Sequence, residues 1–168
     1  MLRMPARLAA AAALLLVCAC GGRDPVKAAA PDVQGLLAAV QAGDARGFET
    51  RLDRPALRAD LRRQIAGLGR ANGLDVEGGP SDAALDRRID PAALRLVRQG
   101  TDQPLAAAPS ARQTAALLKP IDRDHVCVRD PTQQCLLTFA REAAGWRLVA
   151  MPAQPGTVIA VGPEPAKR

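Results

Sequence analysis

The spacing of apolar residues changes once along this 168-residue chain, and that change limits the fold more than any other feature. Up to about residue 118 the large apolar side chains recur every three or four positions, whereas from Ile121 onward they alternate with polar ones. A period of 3.6 buries one stripe of a helix and a period of two buries one face of a strand. The pattern therefore predicts an α+β fold, with N-terminal helices packed on a C-terminal three-stranded antiparallel meander. Asp32 is placed to cap a helix carrying Val33, Leu36, Leu37 and Val40, which Gly43 ends. Asp44 caps a short helix with Phe48 and Leu52, and Asp53-Arg54-Pro55 opens a third with Leu57, Leu61, Ile65 and Leu68 on one stripe. After a glycine-rich loop over 69–80, Ser81 or Asp82 caps a helix holding Leu85 and Ile89. Asp90-Pro91 restarts a helix through Ala93, Leu94 and Val97 to Gly100, and Ser110 opens a brief one ending near Leu118.

Strands are predicted over 121–129, 135–141 and 146–151. If Cys127 faces Cys135 across the first hairpin, one sheet face carries Cys127, Cys135, Leu137, Phe139, Trp146, Leu148 and Ala150, and packs on the helices. The other carries Asp122, Asp124, Val126, Val128, Leu136, Thr138, Arg147, Val149 and Met151. Residues 152–168, rich in proline, read as a disordered tail in which 157–161 is the one candidate for a further strand. There is no internal repeat.

The first residues read as an address rather than as part of the domain. Arg3 and Arg7 precede an apolar stretch over 8–17, the layout of a secretory signal peptide and too short for a membrane span. Val17-Cys18-Ala19-Cys20 resembles the lipobox of bacterial lipoproteins. That resemblance implies a signal peptide over 1–19, cleavage before Cys20, diacylglycerol on the Cys20 thiol and a further acyl chain (palmitate or similar) on its amino group. Two or more chains convert marginal membrane binding into stable anchoring, each buried CH₂ contributing about 0.8 kcal/mol. It also implies a periplasm-facing protein of the cell envelope. Because Gly21 rather than Asp follows the cysteine, the outer membrane is favoured over the inner one. Residues 20–31 then read as the lipidated cysteine and a flexible tether, with the folded domain spanning 32–151.

Cysteine accounting follows from that address. Cys18 leaves with the signal and Cys20 takes the lipid, so Cys127 and Cys135 remain as a pair in an oxidising compartment and read as a disulfide. Removal of 1–19 also lowers the formal charge from +6 to +4. Twenty of the 23 basic residues are arginine, interleaved with acids as in Arg51-Leu-Asp53-Arg54 and Asp86-Arg87-Arg88. Interleaving of this kind makes a solvated, ion-paired face. The competing reading is an anionic partner such as lipid headgroups, drawn by Arg58, Arg62, Arg63 and Arg70. Phe48, Phe139 and Trp146 are the only aromatics, too few for nucleic-acid stacking.

Ala39-Val-Gln-Ala-Gly-Asp44, Asp53-Arg-Pro-Ala-Leu-Arg58, Asp90-Pro-Ala-Ala-Leu94 and Gly145-Trp-Arg-Leu148 together resemble the bacterial domain-of-unknown-function family 2939 over residues 32–151. The resemblance carries no catalytic residue. Helices followed by a meander are also similar to the nuclear-transport-factor-like cone, and fold of itself assigns no function.

Candidate chemistry is sparse. His125 is the single histidine, with Asp122 and Asp124 close by, but on a continuous strand both aspartates would face away from it. His125, Cys127 and Cys135 could approach a metal, yet no fourth ligand stands at suitable spacing, so neither metal nor cofactor is expected. No nucleophile elbow, phosphate loop or zinc-protease motif occurs. The sequence thus predicts a non-enzymatic, lipid-anchored module that binds an envelope protein or small ligand, or supports envelope structure. The alternative is an uncharacterised cone-fold enzyme using Asp122, Asp124 or His125.

Overall fold

The computed structural model describes residues 24–74, 78–154 and 156–164, so the address, Cys18 and Cys20 lie outside the described residues. The first helix, α1 (Pro25–Ala42), begins earlier than expected. Its N-cap is Asp24, whose carboxylate accepts from the Val26 N–H at 3.0 Å, and Pro25 stands in the first turn. Residues 25–31 are therefore helix rather than tether, and Asp32 lies inside the helix rather than at its cap. The stripe extends upstream through small residues: Ala29 and Ala30 are buried in line with Val33, Leu36 and Leu37. Gly43, in the left-handed region at φ 64°, ends the helix.

The next elements follow the predicted caps. Helix α2 (Ala45–Glu49) is capped by Asp44, α3 (Arg54–Ala71) by Asp53 with Pro55 in its first turn, and α4 (Asp82–Asp86) by Ser81. Leu57 and Leu61 of α3 are fully buried, while Leu68 near its end is exposed. The expected helix after Asp90 is not formed. Asp90 caps a single 3₁₀ turn, Pro91–Ala93, and the chain continues as β1 (Leu94–Arg98). Leu94, Leu96 and Val97 are buried and Arg95 and Arg98 exposed, a pattern without clean alternation that becomes a strand once a partner is supplied. That partner is β6 (Thr157–Val161), paired in parallel from Leu94↔Thr157 to Arg98↔Val161. The tail expected to be disordered thus contains a strand, with Thr157, Ile159 and Val161 buried.

After α5 (Ala111–Leu117), capped by Ser110 in a reciprocal capping box with Gln113, comes an antiparallel sheet in the order β2-β3-β4-β5. Its strands are β2 (Leu118–Pro120), β3 (His125–Arg129), β4 (Cys135–Glu142) and β5 (Gly145–Ala150). The expected meander had three strands; the sheet has four. The predicted strand over 121–129 is interrupted because the chain reverses over 121–124, where the N–H groups of Ile121 and Asp122 both donate to the His125 carbonyl at 2.9 and 3.2 Å.

The predicted division of faces is corrected too. Val126 stands opposite Phe139, Val128 opposite Leu137, and Phe139 opposite Leu148, so these residues share the face that meets the helices. Cys127 pairs with Thr138 on the other face. A bulge between Val128 and Arg129 sets Cys135 opposite Arg129 and so onto the Cys127 side. One extra residue reverses the facing of everything beyond it, and that is not visible as alternation. A second bulge, at Thr138/Phe139, accompanies burial of Met151, which had been assigned to the mixed surface.

Helix α1 is the centre of the core. It touches β1 through β5 as well as α2 and α5, and its Val33, Leu36 and Leu37 are buried together with Phe48, Phe139 and Leu148, all without solvent exposure or nearly so. The carboxylate of Asp32 accepts from the Trp146 N–H at 2.8 Å, tying α1 to the β4–β5 turn. Gly145 in that turn sits at φ 121°, and a Cβ there would lie 2.9 Å from the Asp32 carboxylate.

Candidate functional site

The turn over 121–124 brings together two groups that a continuous strand would separate. Nδ1 of His125 lies 2.9 Å from both carboxylate oxygens of Asp122, correcting the expectation that the two face apart. The Asp122 carboxyl is held below its ordinary range chiefly by the Asp124 N–H, which donates to it at 2.8 Å, and next by His125. Asp124 does not join the pair through its side chain; its carbonyl accepts from the Arg141 N–H at 2.8 Å. His125 and Asp122 are both about half exposed, and neither lines any of the cavities found among the described residues. An imidazole–carboxylate pair can shuttle a proton only to a substrate held within hydrogen-bond reach. Among the described residues, none of the four cavities places this pair in its lining.

Cys127 and Cys135 are joined, their Cα atoms 5.5 Å apart, diagonally across the β3–β4 hairpin. Cys127 is buried and Cys135 exposed. Among the described residues no group of three or more His, Cys, Asp or Glu side chains is arranged to hold a metal. No helix there is long and apolar enough to cross a membrane.

The arginines form a lattice rather than an open basic patch. Arg54, Arg58 and Arg62 recur every four residues on one face of α3, and α4 presents Asp82 and Asp86 to them. Arg54 bonds Asp86 at 3.0 Å and Glu49 at 2.8 Å, Arg58 bonds Asp86 at 2.7 Å and Asp82 at 3.2 Å, and Arg62 pairs with Asp82. Arg58 and then Arg54 hold the Asp86 carboxyl down at about 2, and Arg54 lowers that of Glu49. Arg63 pairs with Asp60 at 2.9 Å. Of the four arginines singled out for an anionic partner, three are thus already engaged by carboxylates.

The largest of the cavities described is a groove of about 580 Å³ between α4, the Pro91–Ala93 turn and the segment after β5. Ala84, Ala92, Ala93, Met151, Pro152 and Ala153 give it an apolar surface, and Arg87, Arg88 and Asp90 stand at its polar side. Its floor is pinned from two directions. The Gln64 side chain donates to the Met151 carbonyl at 2.9 Å and accepts from the Ala153 N–H at 3.0 Å, while Arg88 donates to the Ala153 carbonyl at 2.7 Å. Arg87 is exposed and has no ion-pair partner among the described residues. A mostly apolar concavity of this size with a few fixed polar groups is the usual form of a small-ligand site. The sequence marks several of its residues, but for other reasons: Arg87 and Arg88 as part of an ion-paired face, Asp90 and Ala93 as a helix restart, and Met151 as part of the mixed sheet face. Gln64 is one of several polar residues on α3 and only the fold gives it a task.

No protein-family model, curated protein or solved structure matches the chain.

Proposed function

We propose that this chain is a lipid-anchored, periplasm-facing protein of the cell envelope, held at the outer membrane by acyl chains on Cys20, whose domain binds rather than catalyses. The observation that carries the reading is the Cys127–Cys135 pairing. A bonded pair belongs in an oxidising compartment, the destination that the lipobox-like Val17–Cys20 run requires on separate grounds. The reading extends to fold and family: α1 laid against every strand from β1 to β5 suits a cone of the nuclear-transport-factor type, and of the four runs that resemble family 2939 three sit at element caps, around Gly43, Asp44, Asp53 and Asp90, while the fourth opens β5 at Gly145.

The groove beside Met151 supplies the binding site in this account. Its apolar floor and Arg87, which has no ion-pair partner among the described residues, suit a small molecule with an apolar body and an anionic head. Dansyl-labelled undecanoate is a probe of that chemistry. Added to the purified soluble domain, it should bind with enhanced fluorescence, and Ala93→Trp, which fills the groove, should weaken binding at least about tenfold. Arg87→Glu should weaken it by about three- to tenfold. Binding that ignores both substitutions would remove the groove from the account.

The contact between His125 and Asp122 favours a second reading, an uncharacterised enzyme using Asp122, Asp124 or His125. Exposure of both partners, and the absence of either from the lining of the described cavities, weigh against it. Loss of a hydrolytic activity on His125→Ala in a screen of ester, phosphate and amide substrates would reverse that ranking.

A further inference from the structure

The two sheets present four outer edges, and three are closed. On β1 the outward groups are taken by the following loop: Arg98 N–H donates to Gln103 at 2.9 Å and Leu105 N–H to Leu96 at 3.0 Å. On β5, Leu148 N–H donates to Arg51 at 2.9 Å, Asp53 N–H donates to Leu148 at 3.0 Å, and Asp32 takes the Trp146 N–H. β2 is three residues long and ends in Pro120, which offers no donor.

β6 is left open. The Val161 carbonyl accepts from Gln99 N–H at 2.9 Å, which turns the main-chain groups of Thr157, Ile159 and Val161 toward β1. Alternation then turns those of Val158, Ala160 and Gly162 the other way. Gln113 Nε2 donates to the Gly162 carbonyl at 2.9 Å. The N–H and C=O groups of Val158 and Ala160 find no protein partner among the described residues. The strand, Thr-Val-Ile-Ala-Val, has no charge, no proline and no bulge, three of the devices that normally guard an edge. Val158 is 40% exposed.

Two adjoining hollows flank this edge. One, of about 460 Å³, is bordered by Val97, Val158, Ala160, Pro131 and Leu136, with Asp102 and Asp130 at its polar side. The other, of about 160 Å³, lies toward α5 with Gln99, Gln113, Arg129 and Gln133. They meet at Asp130, Pro131 and Ala160. Together they leave room for side chains on both sides of a strand laid along β6, and neither shares a lining residue with the groove at Met151.

We propose that β6 is an acceptor edge for strand addition, and that its occupant is an extended, uncharged segment of a partner protein carrying small or β-branched apolar side chains. A polypeptide main chain is the one common ligand that supplies donors and acceptors in alternation at the two-residue spacing of Val158 and Ala160. The apolar side of the hollow, at Val158 and Leu136, selects the side chains that accompany it.

The probe is a fluorescein-labelled peptide of alternating threonine and valine, read by fluorescence anisotropy with the disulfide-intact mature chain. A twin peptide N-methylated at every second amide, with the same side chains but half the donors, should bind at least about tenfold more weakly. Ala160→Pro removes an N–H that faces away from β1, and Val158→Lys places a charge on the edge. Each should weaken the unmodified peptide about tenfold or more. Val158→Lys changes an exposed residue and should keep the parent melting temperature, so the test survives if the proline variant folds poorly. No binding at millimolar peptide, equal binding of the twins, or binding untouched by Val158→Lys would each overturn the proposal. A concentration-dependent dimer of the chain that Val158→Lys dissolves would overturn it as well, by making a second copy the occupant.

Discussion

Replacing Cys127 and Cys135 together by alanine removes a cross-link between residues eight apart in sequence. In the chain-entropy description, opening a loop of that length returns about 2.5 kcal/mol of conformational freedom to the unfolded chain. For a domain of about 140 residues the unfolding entropy near the midpoint is about 0.3 kcal/mol per kelvin, so the melting temperature should fall by about 9 °C. Alanine is the proper replacement because Cys127 is fully buried, and a serine hydroxyl there would add the cost of an unsatisfied polar group. The assay is thermal unfolding by circular dichroism of parent and double variant, with and without dithiothreitol. Reductant should lower the parent midpoint by about the same amount and leave the double variant unmoved. A fall of less than about 2 °C, or a variant that still responds to reductant, would refute the reasoning.

Acid sensitivity should trace to Asp86. Its folded-state value of about 2 lies below the ordinary 3.8, so its contribution is present above about pH 4 and is lost as pH falls from there toward 2. Asp86→Asn should therefore flatten the decline in melting temperature across that window, and molar salt should narrow the difference between parent and variant. Asp32→Ala leaves the Trp146 N–H without its acceptor and should destabilise the domain by about 1–3 kcal/mol in urea unfolding. A change near zero would mean that α1 is not anchored to the β4–β5 turn as described.

The helix starts were legible because capping is local chemistry. Asp44, Asp53, Ser81 and Ser110 each accept from a backbone N–H two or three residues on, and that requirement is written within four residues of sequence. Asp32 misled for a related reason: it has a capping side chain, follows Pro31 and precedes a strong apolar run, yet its carboxylate is used by Trp146, more than a hundred residues away. The upstream stripe of Val26, Ala29 and Ala30 was present but quiet, since alanine contributes little to any reading of apolar periodicity. β1 and β6 escaped because each is a strand only by virtue of the other. Leu94–Arg98 supports a helical reading until Thr157–Val161 is laid beside it, and no local rule links segments so far apart. The hairpin shows a third kind of limit. The cysteine pairing was readable from composition and compartment, but the face it occupies depends on a bulge of one residue. The same displacement, with the turn over 121–124, decided which groups around His125 could meet.

Attachment of lipid at Cys20 is the claim on which localisation and function both depend. Cells expressing the full chain, grown with radiolabelled palmitate, should yield a labelled protein in the envelope fraction, and Cys20→Ala should abolish the label while Cys18→Ala retains it. Label that persists undiminished in the Cys20→Ala protein would contradict the account.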